Sequence, residues 1–262
     1  MYPYIIIGAG PSGLQTAYFL QKYNIKYIIL EKGNIVGSFF KKYPIHRKLI
    51  SINKVYTGNS NKDFNLRHDW NSLLSDDDSL LFKNYSNDYF PNADIMVKYL
   101  HDFYEKNNLN IKFNERVLNI NKFDDNFVIK TNNQKFYCNK LIIASGYSKY
   151  NKINNIPNII NYSDLSLDKN KFINKKVLIV GGGNSGYEVA DYLTNTASVI
   201  NIVTNNPVRF AWQTHYVGDL RAVNNNFLDT YQLKSQNAII VENFDQFKKK
   251  MKYVNNKYEF EI

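Results

Sequence analysis

Apolar positions along this chain recur with two different periods, and the places where the period changes mark its parts. Tyr4 to Ile7 is a short all-apolar run that stops at Gly8-Ala9-Gly10-Pro11-Ser12-Gly13, after which Leu14, Ala17, Tyr18 and Gln21 follow at helical spacing. Strand, tight turn and helix are the elements this predicts. Tyr27 to Leu30 is a second apolar run that ends at Glu31, and a parallel β-α-β unit accounts for both runs. Residues 33 to 90 carry little sustained period and read as long loops and short helices laid over a scaffold. From Asp94, the expected N-cap, Ile95, Tyr99, Leu100, Phe103 and Tyr104 make one apolar face of a helix that lasts to about Asn107. The period then drops to two. Ile111 to Phe113, Arg116 to Ile120, Asn126 to Lys130 and Lys135 to Tyr137 predict a small antiparallel meander, and Leu141 to Ala144 a buried strand after it.

An Asn-rich polar stretch from Tyr147 to Lys175 reads as a connection, and beyond it the opening pattern repeats. Val177 to Val180 is apolar, Gly181-Gly182-Gly183-Asn184-Ser185-Gly186 follows, and Tyr187, Val189, Ala190 and Leu193 continue as a helix before an apolar run at Val199 to Val203. The expected fold is α/β with two Rossmann-like dinucleotide-binding domains. The expected boundaries are 1–146 for the first domain with its meander at about 111–139, 147–175 for the connection, and 176–262 for a second, possibly incomplete domain.

Composition narrows the chemistry. The chain has 262 residues and a formal net charge of +10, yet only five of its basic residues are arginines: Arg47, Arg67, Arg116, Arg209 and Arg221. Specific nucleic-acid readers lean on arginine forks, so no specific nucleic-acid partner is expected. Cys138 is the single cysteine, which excludes an internal disulfide or a Cys-x-x-Cys redox pair. Any redox chemistry must come from a bound cofactor. His46, His68, His101 and His215 show no metal-ligand spacing, so no metal is expected. No apolar run is long enough to span a bilayer, and without a secretory signal the default compartment is the cytosol.

The candidate chemistry sits in the two glycine turns. Gly8 permits the tight turn, Gly10 lets the backbone approach a pyrophosphate, and Gly13 lets the helix pack close to the strand, with Ala9, Pro11 and Ser12 between them. Glu31, followed by Lys32, stands at the end of the second strand, where a carboxylate accepts from a ribose hydroxyl pair. Gly181, Gly183 and Gly186 repeat the geometry, and Asn184 and Ser185 open the helix where their side chains could also reach phosphate. No acid ends the strand that follows. Residues 204 to 209 read Thr-Asn-Asn-Pro-Val-Arg, so Arg209 is the only cation available for an NADP 2′-phosphate, the alternative being a solvated surface arginine. One turn with an acid and one without suggest FAD in the first and NADPH (or NADH) in the second.

Taken together, the two turns resemble the flavin monooxygenase-type proteins. Gly37-Ser38-Phe39-Phe40 is similar to the Gly-Gly-x-Trp stretch that lies against FAD in those proteins, and Ala144-Ser145-Gly146 to their Ala-Thr-Gly return strand. Arg116-Val117 falls where that family lets a backbone group meet adenine, and Asn53-Lys54 where it places an asparagine beside flavin and nicotinamide. The stretches HRKLISINK (46–54), FNLRHDWNSLL (64–74), THYVGDL (214–220) and LDTYQLKS (228–235) resemble the FAD-dependent oxidoreductase domain-containing family, whose known member type is a flavoprotein of the ER lumen associated with degradation. The resemblance implies hydride transfer from NAD(P)H to FAD and on to oxygen or a protein partner, with Asn53 as the catalytic candidate. Three departures qualify it. Ile156, Asn158 and Tyr162 replace the residues of the monooxygenase fingerprint, the ER relative's entry signal and retention tail are not seen, and family members continue past residue 262. Hydroxylation is therefore not expected. The alternatives are a flavin-stabilised binding protein in protein quality control, or an inactive fragment of a longer flavoprotein.

Overall fold

The computed structural model describes residues 1–147, 152–153 and 156–260. The chain divides into two compact units, Met1–Asn151 and Lys152–Ile262. Part of the expected connection, residues 148–151 and 154–155, lies outside the described residues.

The first unit opens with β1 (Tyr2–Ile7), α1 (Pro11–Lys22) and β2 (Tyr27–Leu30), joined as a parallel β-α-β crossover. Short helices α2 (Ser38–Lys42) and α3 (Lys62–Leu66) follow within the irregular region, and α4 (Ala93–Lys106) crosses the sheet behind them. The cap of α4 is Asn92 and not Asp94, because the Asn92 side chain accepts the Asp94 N–H at 2.8 Å, while Asp94 stands in the first turn and pairs with Arg47. Then come β3 (Ile111–Lys112), β4 (Val117–Phe123), β5 (Asn126–Thr131) and β6 (Lys135–Ile143), giving one six-stranded sheet in the order β3-β2-β1-β6-β5-β4.

Two details differ from the pattern-based expectation. Residues 111–113 do not join the meander: β3 pairs in parallel with β2 at the other edge of the sheet. Residues 135–144 are not two strands but one. The first half of β6 pairs antiparallel with β5, the second half pairs in parallel with β1, and Cys138 takes part in both ladders. Alternation within a short run does not say which neighbour a strand will take, so these joints were invisible in the period alone.

Strand β1 is buried on both faces, as a central parallel strand must be. Ile6 and Ile29 face α1 and α4 in a core with Leu14, Ala17, Tyr99, Leu100 and Phe103, whereas Ile5, Ile28 and Leu30 meet Ile129, Phe136 and Cys138 of the meander on the other side. Burial raises the Cys138 thiol pKa, in keeping with a small core residue.

The second unit is a smaller repeat: β7 (Lys176–Val180), α5 (Asn184–Leu193), β8 (Val199–Thr204), α6 (Ala211–Thr214), β9 (Ile239–Val241), α7 (Phe244–Lys250) and the hairpin β10 (Lys252–Val254) and β11 (Lys257–Glu259). Strands β7, β8 and β9 form a parallel sheet in that order. Much of the stretch expected to be connection belongs to this unit. Phe172 is buried in its core with Leu165 against it, and the Asn174 N–H donates to Thr196 O. No helix among the described residues is long and apolar enough to cross a membrane.

Candidate functional site

Each unit carries a glycine turn at the carboxyl end of its first strand, and the two turns meet the same three steric demands. Gly8 has φ +105° and Gly181 has φ +112°, which side chains rarely adopt. A Cβ on Gly13 would stand 2.0 Å from Gly8 O, and one on Gly186 would stand 2.2 Å from Gly181 O. Gly8, Gly13 and Gly186 are required by close backbone neighbours, and Gly181 by its positive φ alone. Gly10 and Gly183 are different: a Cβ at either would meet nothing within 4 Å. Nothing in the folded chain asks for a glycine there, and each is the N-cap of its helix in an extended conformation that any residue adopts. Open space kept free of a side chain at a helix N-terminus is the shape a pyrophosphate needs.

The helix ends agree. Asn61, Asn92 and Asn243 cap their helices with side-chain hydrogen bonds, whereas Gly10 and Gly183 offer none, and neither α1 nor α5 has an acid in its first turn. In α1 the first position is Pro11, which has no N–H to leave unpaired. Uncapped N–H groups with the positive end of the helix dipole behind them favour an anion. Ser12 and Ser185 are exposed in these first turns.

Glu31 follows β2 directly and is 5 % exposed. Its Oε2 accepts the Ala9 N–H at 2.8 Å and its Oε1 accepts the Gly33 N–H at 2.8 Å, so the carboxylate clamps the glycine turn to the loop after β2. Each oxygen retains a further lone pair for a ribose hydroxyl. Lys32 is exposed beside it. The clamp extends to Glu115, whose N–H donates to Glu31 O. Glu115 is 2 % exposed, with Oε2 accepting from Thr131 Oγ1 at 2.5 Å, Oε1 accepting from Gln134 Nε2 at 2.6 Å, and Lys112 nearby. Burial alone would raise its pKa, but the hydrogen bonds from Thr131, Gln134 and Asn133 and the charge of Lys112 hold the carboxyl below the usual range. Sequence reasoning passed over this residue, since its partners stand 16 and 19 positions away.

The remaining candidates of the first unit gather around the same turn. Gly37 donates its N–H to Ala9 O and takes φ +62°, and a Cβ there would stand 2.6 Å from Leu100 Cδ1. The turn thus fixes where Ser38, Phe39 and Phe40 begin: Phe40 packs on the core while Phe39 stays exposed. Ala144 donates its N–H to Ile7 O, and its carbonyl lies where a Gly8 Cβ would be, followed by exposed Ser145 and Gly146. Val117 opens β4 opposite Thr131, next to the Glu115 clamp. Asn53 is 1 % exposed; its Nδ2 donates to Ser86 O at 2.7 Å and Asp88 O at 3.2 Å, while its buried Oδ1 has no partner. An orphaned buried acceptor costs about 1–3 kcal/mol, and a ligand donor would recover it.

In the second unit, Thr204 ends β8 where a ribose-binding acid would stand, and it spends its hydroxyl on Asn206 O. Arg209 is exposed, and its guanidinium has no hydrogen bond or ion pair among the described residues. Asn184 departs from expectation. Its side chain is turned away from the turn's mouth: Nδ2 donates to Asp219 O, and Oδ1 accepts from Arg221 N and Asn224 Nδ2, all at 2.9 Å. These bonds make it a tether for residues 219–224, and one Nδ2 N–H remains over for a phosphate.

Tyr162, at the last fingerprint position, donates its hydroxyl to Glu188 Oε2 at 2.7 Å, and Asn158 bonds the Tyr253 hydroxyl. Burial lifts the Glu188 carboxyl above the usual range, and the Tyr162 hydrogen bond draws it part of the way back. The neighbouring Tyr187 hydroxyl is buried without a partner, and burial pushes its pKa up to about 12. Among the described residues no cluster of His, Cys, Asp or Glu could hold a metal.

The chain is 42% identical over 247 residues to the mouse FAD-dependent oxidoreductase domain-containing protein 2, covering 90% of this chain and 37% of that protein. It is 45% identical over 246 residues to the zebrafish protein of the same name, covering 91% and 36%. It therefore spans little more than a third of the curated relatives it matches. Its fold matches a flavin-containing monooxygenase from Stenotrophomonas maltophilia with a TM-score of 0.70 at 17% identity, over 99% of this chain and 75% of that one. Residues 5–261 match the family described as pyridine nucleotide-disulphide oxidoreductase, and the chain belongs to that family of oxidoreductases.

Proposed function

We propose that the chain binds FAD at the first glycine turn and a reduced nicotinamide nucleotide, preferentially NADPH, at the second. In this reading it passes electrons from the nicotinamide to the flavin and on to oxygen or a protein partner. The observation that carries the reading is the difference between the glycines of each turn. Gly8, Gly13, Gly181 and Gly186 are demanded by the fold, while Gly10 and Gly183 are demanded only by something that is to lie against them. The buried acid of the first turn and its absence from the second separate the two nucleotides.

When bound, the flavin supplies the electron transfer, the single cysteine Cys138 being buried in the core. The protein's part is to hold and orient. The first turns of α1 and α5 would hold the two pyrophosphates, Glu31 the adenosine ribose of FAD, and Asn53 Oδ1 would accept from a ligand N–H or O–H. Arg209 would meet the 2′-phosphate with a charge-assisted hydrogen bond of roughly 1.5–3 kcal/mol.

The test is spectroscopic: purified protein should be yellow, and NADPH added without oxygen should bleach the flavin. A colourless preparation that takes up no FAD on titration contradicts the first half, and a flavin that NADPH and NADH both leave oxidised contradicts the second. A flavin-stabilised binding protein is the second reading. It is favoured by Asn158 and Tyr162, which are engaged in structural hydrogen bonds where the monooxygenase fingerprint would stand. Bound flavin with no reduction would select it.

A further inference from the structure

The three hydrogen bonds of Asn184 tie the start of α5 to a loop that is otherwise held by apolar contacts of Leu220, Phe210 and Phe227 with the core. Between β8 and β9 the chain does not form a long crossover helix; it runs through residues 205–238 with only α6 and a short 3-10 turn at Ala222–Phe227. Its first part closes on itself. The Leu220 N–H donates to Arg209 O at 2.8 Å and the Ala211 N–H to Leu220 O at 3.0 Å, while Thr214 Oγ1 donates to Asp219 Oδ2 at 2.7 Å. Leu220 is the residue that holds Arg209, and Asn184 grips the residues on either side of it, Asp219 through its carbonyl and Arg221 through its N–H. Asn224 adds a third point and is itself 4 % exposed.

The geometry points to Asn184 as a positioning residue for nucleotide discrimination: it sets the place of Arg209 relative to the second glycine turn through Leu220, and contacts no phosphate itself. This rests on the proposed NADPH site. Asn184 follows Gly183 directly, so the turn that would receive the pyrophosphate is linked through one side chain's hydrogen bonds to the loop that carries the 2′-phosphate partner. Without the tether, Leu220 would keep its place in the core, but the backbone on either side of it would lose its polar link to the turn, and the reach of Arg209 would be less closely set while the α5 N–H groups stay where they are.

The experiment compares NADPH and NADH affinities of the full chain, read by the rate and extent of flavin reduction, for the wild type, Asn184→Ala, Arg209→Ala and the double variant. Wild type should prefer NADPH. Asn184→Ala should lose that preference by about tenfold, the scale of one charge-assisted hydrogen bond, with NADH affinity held within about twofold. In the Arg209→Ala background the Asn184 change should have no further effect on preference. Hydrogen exchange at residues 219–224 should speed up in Asn184→Ala, and Asn184→Ser, which keeps one oxygen, should fall between the two and serves if the alanine variant folds poorly. Equal weakening of NADPH and NADH would make Asn184 a pyrophosphate ligand and overturn the inference, as would an unchanged preference. A wild type that uses neither nucleotide, or both alike, overturns the NADPH reading itself and the inference with it.

Discussion

Side chains added at Gly10 and Gly13, three residues apart in the same turn, should act on the apo protein with opposite signs. Gly13→Ala places a Cβ 2.0 Å from Gly8 O, where contacts below 3.0 Å do not occur, so the turn and helix must part by about an ångström. The obstructing atom is backbone and cannot rotate away, and overpacking of this kind costs about 1–3 kcal/mol. Gly10→Asp meets no atom within 4 Å and puts a good cap at a position that has no side-chain cap. The apo protein should gain a few tenths of a kcal/mol from it, about 0.3, because aspartate is the better N-cap. The same carboxylate would face the pyrophosphate and should abolish FAD binding. If FAD at 100 times its dissociation constant stabilises the wild type, the lost linkage is about 2.7 kcal/mol. Urea unfolding with and without FAD, with flavin content measured on the same preparations, reads all three values. Retained flavin in Gly10→Asp, or an apo Gly10→Asp as damaged as Gly13→Ala, would refute the claim that the space at Gly10 belongs to a ligand.

Three further outcomes follow from the clamps. Glu31→Gln should destabilise the apo first unit by about 1–3 kcal/mol, because one amide end would face an N–H that now has a carboxylate oxygen; unchanged apo unfolding would show that the clamp is incidental. Thr131→Val removes a donor from buried Glu115 and should cost a similar amount, about 1.5–3 kcal/mol in urea titrations, with most of the loss gone at a pH where the carboxyl is protonated. Glu188 works in the other direction. Its folded pKa is raised, so its contribution is fully present below the unfolded carboxylate value near pH 4.5 and is lost as pH rises through the folded value. Glu188→Gln should therefore flatten the decline in stability on going upward from about pH 4.5, and Tyr162→Phe should steepen it; parallel pH profiles for all three proteins would contradict the assignment.

What could be read from the sequence were features whose cause is local. A strand running into Gly-x-Gly-x-x-Gly and then a helix is decided within a dozen residues, so both glycine turns, Glu31 and the missing acid after β8 were legible. Pairing partners were not. Ile111 to Phe113 alternates as a meander strand would, yet β3 completes a parallel edge, and nothing between Tyr137 and Leu141 announces that β6 runs through both ladders. Asn92 and Asp94 are equally good caps on paper, and only the Asn92 hydrogen bond decides. Glu115 and Asn184 act on partners 16 to 40 positions away, which composition and spacing do not report.

Strand β6 also orders events in time. Gly8 leans on the carbonyl of Ala144, and Ile7 finds its second neighbour only in Ile143. As the chain leaves the ribosome, the glycine turn emerges well before the wall behind it, which is supplied near the end of the first unit. The first nucleotide site cannot be finished while the chain is short, so the β1-α1-β2 segment waits with one long edge unpaired. Pairing over so great a separation is slow compared with the local β4-β5 hairpin. The meander is thus the natural seed: once it has formed, β6 is already held in register, and β1 closes onto a strand that can no longer slide.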